Sequence, residues 1–467
     1  MKFERSASPR SAKPGGRAKR PDGRKACAEK NMAPGAQLAA ARIEQVQAAV
    51  GEILQWSGPA DQVLSRWFRD HPKLGARDRG VVAEAVYDIL RNLRRYRHVG
   101  EGGRGSATRR LAILGLAATQ GADGLLPALD DVEKEWLQRV SAIDEASLAR
   151  EIRFSIPDWL SEAIEGEPDS DRLLAALNRA APLDIRINPM KAERDVILEE
   201  LRAGVAPSMA EPTPYSPFGI RLQGRPALTR WSRFEDGSIE VQDEGSQLLA
   251  LLVAPRRGEM VIDFCAGAGG KTLLLGALMR STGRLYAFDV SQARLARFKP
   301  RLARSGLSNV VPVAIANEND VRVKRLARKA HRVLVDAPCS GTGTLRRNPD
   351  LKWRQSPESV SELCALQRSI LASAARCVAP GGRLVYATCS ILQAENEDQV
   401  EGFLAAHPEF ELLPASGALA GRAGALAMPG PYLKLRPDIH GTDGFFAAVL
   451  ERRRDPGATT PQAEGGA

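Results

Sequence analysis

Between Ala36 and about Arg97, apolar residues return mostly every three to five positions, as a helix buried on one face requires. Leu38, Ile43, Val46, Val50 and Leu54 mark a first helix, and Pro59-Ala60-Asp61 opens a second with a capping aspartate. A third, ARDRGVVAEAVYDILRNLRRYRH, buries Val81, Val82, Val86 and Leu90 and shows Arg91, Arg94, Arg95 and Arg97 near its end. That arginine group suits either a solvated helix C-terminus or contact with a polyanion. Helical segments continue to about Gly166. From Pro182 to Ser238 the texture changes to short strand-like pieces broken by Pro and Gly (PLDIRINPM, YSPFGIRL), which fits a small α+β module. From Gln242 a regular alternation begins. VIDF, RLYAFD, VVPVAIA, RVLVD and RLVYATC are short apolar runs, each followed by a helical or loop segment, and FFAAVL ends the core. Such runs suit strands covered on both faces of a parallel sheet, so the fold class is α/β.

Composition adds limits. No apolar run approaches the roughly 20 residues that span a bilayer, and the basic start has no apolar stretch of a secretory leader behind it. A soluble, cytoplasmic, monomeric protein is expected. Six cysteines without a CxxC pair argue against a disulfide framework, and five scattered histidines against zinc, so no metal is expected. Net charge is +10, which favours a polyanionic partner. Residues 1–34 hold ten Lys/Arg against three Asp/Glu, so most of that charge sits in the N-terminal arm. The expected organisation is a disordered basic arm (1–35), a helical domain (36–166), a small α+β module (167–240), an α/β domain (241–454) and a disordered tail (455–467).

Four motifs carry chemistry. In VIDFCAGAGGKT (261–272) a buried strand ends at Asp263 and a glycine-rich turn leads into a helix near Lys271. Glycines there let a ligand approach the backbone at the carboxyl edge of the sheet. A P-loop would need glycine where Cys265 stands, and a GxGxxG from Gly267 would need it at Thr272, so neither nucleotide fingerprint holds. RLYAFD ends a second strand on Asp289, where a carboxylate either accepts two ribose hydroxyls or caps the following helix. RVLVDAPCSGTGTLRRNPDLKWR (332–354) brings Asp336 to the edge, then a tight loop with Cys339. Arg346, Arg347, Lys352 and Arg354 around Trp353 read as an RNA platform or as a solvated basic loop. GGRLVYATCSILQAENEDQV (381–400) brings Cys389 to the same edge. Cys364 and Cys377, inside a helical pattern, read as packing residues.

The series DFCAGAGGK, DAPCSGTG and ATCS resembles the Sun/Fmu (NOL/NOP) family of RNA cytosine-5 methyltransferases, most closely its bacterial ribosomal-RNA branch. The likeness covers about residues 36–452, with SIEVQDEGSQ and HGTDGFF as further matches. It implies a Rossmann-like class I methyltransferase sheet behind a NusB-like helical domain, S-adenosylmethionine as cofactor and RNA as partner, small-subunit rRNA first. A tRNA substrate, a DNA cytosine methyltransferase and a non-catalytic rRNA-binding assembly factor are the competing readings. By resemblance, Cys265, Ala266, Gly267, Ala268, Gly269, Gly270 and Lys271 cradle the cofactor and Asp289 holds its ribose. Asn317 stands where the family has an acidic residue on the adenine side, with Asp320 as a substitute. Ala268 replaces the family's usual proline. Asp336 and Lys271 serve the base. Spacing alone leaves open which cysteine attacks; the family implies Cys389 as nucleophile and Cys339 in product release.

Overall fold

A computed structural model describes residues 33–205, 210–224 and 226–454; the expected arm at 1–32 and the tail from 455 lie outside them. None of the described helices is long and apolar enough to cross a membrane. The chain divides into two compact units. Of the described residues, one takes 33–55, 63–89 and 99–143, and the other takes 56–62, 90–98 and those from 144 to 454.

In the first unit, the helix Pro34–Ile53 buries Ala39, Ile43, Val46, Val50 and Ile53. Leu38, expected on that face, is 47% exposed. The reason is phase: Ala39 begins the continuous four-three-four-three series, and Leu38 falls one residue, about 100° of rotation, to its side. The helix Ala107–Gln120 supplies the other half of this core, capped by the Ser106 hydroxyl, which accepts from the Arg109 N–H.

The expected third helix is two, Ala76–Arg91 and Leu93–Val99. In the second unit the Ser155 hydroxyl accepts the Arg94 N–H at 2.8 Å, which diverts that donor just after the break. The arginines that follow are occupied. Arg94 pairs with Asp158, Arg95 with Glu145, and Arg91 donates to the Arg346 carbonyl, while Arg97 is exposed. Helices run on past Gly166 to Leu177, and Ile156, Leu160, Leu173 and Leu177 share one apolar cluster with Leu345, Val360 and Leu392. The segment 150–177 therefore packs as part of the sheet-bearing unit.

The α+β module is a four-stranded antiparallel sheet, β1 (Leu183–Ile187), β2 (Ala210–Pro212), β3 (Gly219–Leu222) and β4 (Ile239–Val241), ordered β2-β3-β1-β4. The main sheet has β5 (Met260–Asp263), β6 (Arg284–Asp289), β7 (Val310–Ala314), β8 (Ala330–Asp336), β9 (Val378–Thr388), β10 (Phe410–Leu413) and β12 (Phe445–Arg452), ordered β10-β12-β9-β8-β5-β6-β7. Short β11 (Leu433–Leu435) pairs β12. The pairs from β7 to β9 are parallel, and β12 runs antiparallel against β9. Its apolar clusters lie on both faces of the sheet, which is why the strands read as continuous apolar runs.

The loop at 346–354 is neither an open RNA platform nor a solvated basic loop, for of its four cations only Arg354 is exposed. Arg346, 6% exposed, and Arg347 both bond the Asp443 carboxylate, and Arg347 also takes Asp243 at 2.8 Å. Lys352, 3% exposed, donates to the carbonyls of Arg91 and Ser155 and to Asn178. The indole N–H of Trp353 donates to the Leu90 carbonyl. These cations bind the loop to its own unit, so they are not free for phosphate. Burial and the nearby Asp243 push the Asp443 carboxyl up to about 6, against the pull of the two arginines. Asp443→Ala should cost about 3–5 kcal/mol, because it strands two guanidinium groups with one carboxylate between them. Urea unfolding measures it, and a loss under 1 kcal/mol would contradict the account.

Candidate functional site

Five strand ends converge on one cavity of about 700 Å³ at the carboxyl edge of the main sheet. Its floor is the turn after β5. Gly267, at φ +58°, and Gly269, at φ +81°, adopt the left-handed backbone there. At Gly269 a Cβ would meet Phe298 at 2.0 Å, so only glycine fits. Cys265, Ala266, Gly267, Ala268, Gly270 and Lys271 line the cavity; Gly269, expected with them, faces Phe298 instead. Arg301 donates to the Ala268 carbonyl at 2.7 Å while its other nitrogens hold Glu240, so the loop is braced from outside although Ala268 is not proline.

Asp289, at the end of β6, accepts the N–H groups of Gly267 and Ser291 at 2.8 and 2.7 Å and pairs with Arg294 at 3.3 Å. The helix cap is Ser291, which leaves Asp289 at the cavity wall. After β7, Asn317 lines the cavity. Asp320 does not: it caps its own short helix, bonds the Ala316 N–H and pairs with Arg322. Glu318 lines the wall too, and hydrogen bonds from Ser369 hold its carboxyl below the usual range. Val290, Ile315, Leu366 and Ile370 form an apolar lining beside these polar groups.

The opposite end holds the sulfur atoms. Asp336 ends β8 and accepts the Lys271 ammonium at 2.8 Å. Burial alone would discharge Lys271, yet Asp336 and then Cys389 hold it charged, above its ordinary value. Cys339 Sγ and Cys389 Sγ lie 3.3 Å apart as free cysteines, both at the cavity wall. The Cys389 N–H also donates to Cys339 Sγ at 3.3 Å. Even so, the neighbouring Cys389, burial and the Glu395 charge push the Cys339 thiol well up. Burial drives the Cys265 thiol up. Cys364 and Cys377 are buried in the helix Pro357–Cys377, as read from the sequence.

Sequence reasoning missed Gln242, Arg294, Arg301 and Phe445 at this wall. A signal existed for two: Arg294 and Arg301 lie seven apart, on one face of the helix Gln292–Ser305.

A family model described as 16S rRNA methyltransferase RsmB/F matches residues 250–451, and one for its ferredoxin-like domain matches 156–229. A probable ribosomal RNA small subunit methyltransferase B of Synechocystis is 31% identical over 434 residues, 84% of this chain and 95% of that one. The chain belongs to the RsmB/F methyltransferase family. The ribosomal RNA small subunit methyltransferase B of Sodalis glossinidius is 34% identical over 69% of this chain and 71% of that one. Among solved structures, PH0851 superposes with TM-score 0.70 at 26% identity, over 90% of this chain and 99% of that one. A methyltransferase homologue from Pyrococcus horikoshii gives 0.56 at 27%, over 66% and 100%. Membership makes the chain an RNA methyltransferase that depends on S-adenosylmethionine. The cavity fits that cofactor on its own terms. A carboxylate beside backbone N–H groups suits a ribose, and an apolar slot with an amide suits adenine.

Beneath the turn, burial pushes the Asp263 carboxyl up to about 7; Thr272 donates to one oxygen at 2.6 Å and the other has no partner. Because this folded pKa is raised, the protonated form is favoured in the fold. The site is most stable below about pH 4 and loses that stability as pH rises through 7. Asp263→Asn should therefore be more stable than the native protein at pH 8, by up to about 4 kcal/mol at the pKa-shift rate, with the gap narrowing by more than half at pH 5 and closing only near pH 4. Urea melts at the two pH values measure this; an equal gap at both would refute it.

Proposed function

We propose that this protein methylates carbon 5 of a cytosine in small-subunit ribosomal RNA, through a covalent adduct between Cys389 and carbon 6. The observation that carries the reading is the pair of thiols 3.3 Å apart, with the Lys271–Asp336 pair beside them at one cavity. Carbon 5 of cytosine is a weak nucleophile. Addition of a thiolate to carbon 6, with a proton taken up at nitrogen 3, turns carbon 5 into an enamine carbon. When bound, S-adenosylmethionine supplies the electrophilic methyl that carbon 5 takes. The adduct then loses its carbon-5 proton, the carbon 6–sulfur bond breaks with its electrons returning to sulfur, and nitrogen 3 gives back its proton.

The charges around the sulfurs support the division of labour that the family resemblance implies. Lys271 is held charged by Asp336 and then by Cys389, which puts a cation on the side of the sulfur that attacks in this reading. Cys339 is held as a thiol, within reach to donate to that thiolate and to assist release. Asp336 faces the pyrimidine edge, where its carboxyl serves nitrogen 3 and the exocyclic amine while Lys271 orients it. On the cofactor side the reading gives Asp289 the ribose hydroxyls, Cys265 to Lys271 the methionine end, and Asn317 an amide contact to adenine. The helical residues 36–166 would be an RNA-binding, NusB-like domain and 167–240 a second RNA-contacting module. A base in paired RNA must be extruded to reach the cavity. The protein would act as a monomer in the cytoplasm, where rRNA and reduced thiols coexist.

Cys389→Ala should lower turnover at least about a thousandfold, while Cys339→Ala should accumulate a protein–RNA adduct that survives denaturing gel electrophoresis. An adduct trapped by Cys389→Ala instead would reverse the two roles. Bisulfite sequencing of rRNA from a deletion strain should find one small-subunit cytosine that loses protection. An unchanged rRNA map with a changed tRNA map would move the substrate to tRNA, and activity retained without both cysteines would leave an assembly factor.

A further inference from the structure

The mechanism leaves unused a buried carboxylate directly behind the two sulfurs. Glu395 is 0% exposed. Its oxygens accept the Ser340 N–H at 2.8 Å, the Ser340 hydroxyl at 2.5 Å and the Gln367 amide at 3.0 Å. All three of these donors are neutral. The next residue holds the other loop: Asn396 accepts the Thr388 hydroxyl at 2.5 Å and donates to the Ser390 carbonyl at 3.0 Å. Ser340, Thr342 and Ser390 close the network through their hydroxyls at 3.1–3.3 Å. Residues 395 and 396 thus grip Ser340, directly after Cys339, and the two residues that flank Cys389.

A buried anion without a cation is costly, and three hydrogen bonds to a neutral amide would hold the loop nearly as well. The charge itself needs a purpose. We propose that Glu395 is a positioning residue: it fixes the Cys339 loop against the Cys389 loop, and its negative charge keeps the proton shared by the two sulfurs on Cys339. Cys389 is then the sulfur left to attack. The inference rests on the division of labour proposed above, and it adds the group that enforces it. An anion behind Cys339 and the Lys271 cation near Cys389 act in the same direction on one proton. No bond is made or broken at Glu395; it acts only through Cys339.

The test compares three full-length proteins, native, Glu395→Gln and Glu395→Asp. Alkylation of Cys339 by iodoacetamide is followed against pH by peptide mass spectrometry, alongside turnover on small-subunit rRNA. Glu395→Gln keeps the shape but loses the charge. Its Cys339 should alkylate at lower pH than in the native protein. Its kcat should fall tenfold or more with KM for RNA within twofold, and denaturant-stable adduct should build up. Glu395→Asp keeps the charge on a shorter arm, so its alkylation profile should stay with the native one while kcat still falls. A Gln variant with the native profile and rate overturns the proposal. So does an Asp variant with the native rate, even if the Gln variant cannot be isolated. Adduct trapping by Cys389→Ala would instead overturn the cysteine roles, a separate outcome read on a separate protein.

Discussion

The parallel register between β8 and β9 is the constraint on which the site depends. Asp336 pairs with Ala387, so Cys339, three residues beyond the first, and Cys389, two beyond the second, leave neighbouring strands side by side. Strands about 4.8 Å apart bring the two loops together without any long-range coincidence. A slip of one residue would turn every side chain to the other face and separate the thiols. The register is secured by burial on both faces: Val333, Leu334, Val335, Leu384, Val385 and Tyr386 are each fully enclosed. The Gly343 N–H then donates to the Cys389 carbonyl, and the Gly444 N–H to the Gly343 carbonyl, which ties the third loop to the other two.

On that frame the electrostatics are asymmetric, with Lys271 acting on the Cys389 side and Glu395 on the Cys339 side. Lys271 comes from the glycine-rich turn and Glu395 from the segment after β9, so cation and anion come from different segments of the chain. The same logic of fixed, buried charge holds the surrounding loops. Asp243, Arg346, Arg347 and Asp443 join three chain segments far apart in sequence, and Arg301 links Glu240 of the small sheet to the Ala268 carbonyl of the glycine-rich turn.

The motifs gave the alternating strands, the glycine turn and both cysteines because each is local: a period, a turn residue that needs positive φ, or a residue at a fixed offset from a strand end. The same logic failed for the cations at 346–354. A run of cations around a tryptophan has the same sequence whether it meets phosphate or buried acceptors, and partners about a hundred or more residues away, Asp243, Asp443 and Asn178 among them, decide which. Leu38 failed for a smaller reason, since an error of one residue in phase moves a side chain to the flank of its helix.

By itself the sequence determined the α/β core, the order of its motifs and the strand ends that deliver their cysteines and carboxylates, because those depend on neighbours along the chain. Tertiary structure alone decided which sulfur lies near a cation and which near an anion, that Asn317 rather than Asp320 reaches the cavity, and that Gly269 serves packing against Phe298. Distance and burial set those outcomes, and both arise between residues that the chain keeps far apart until it folds.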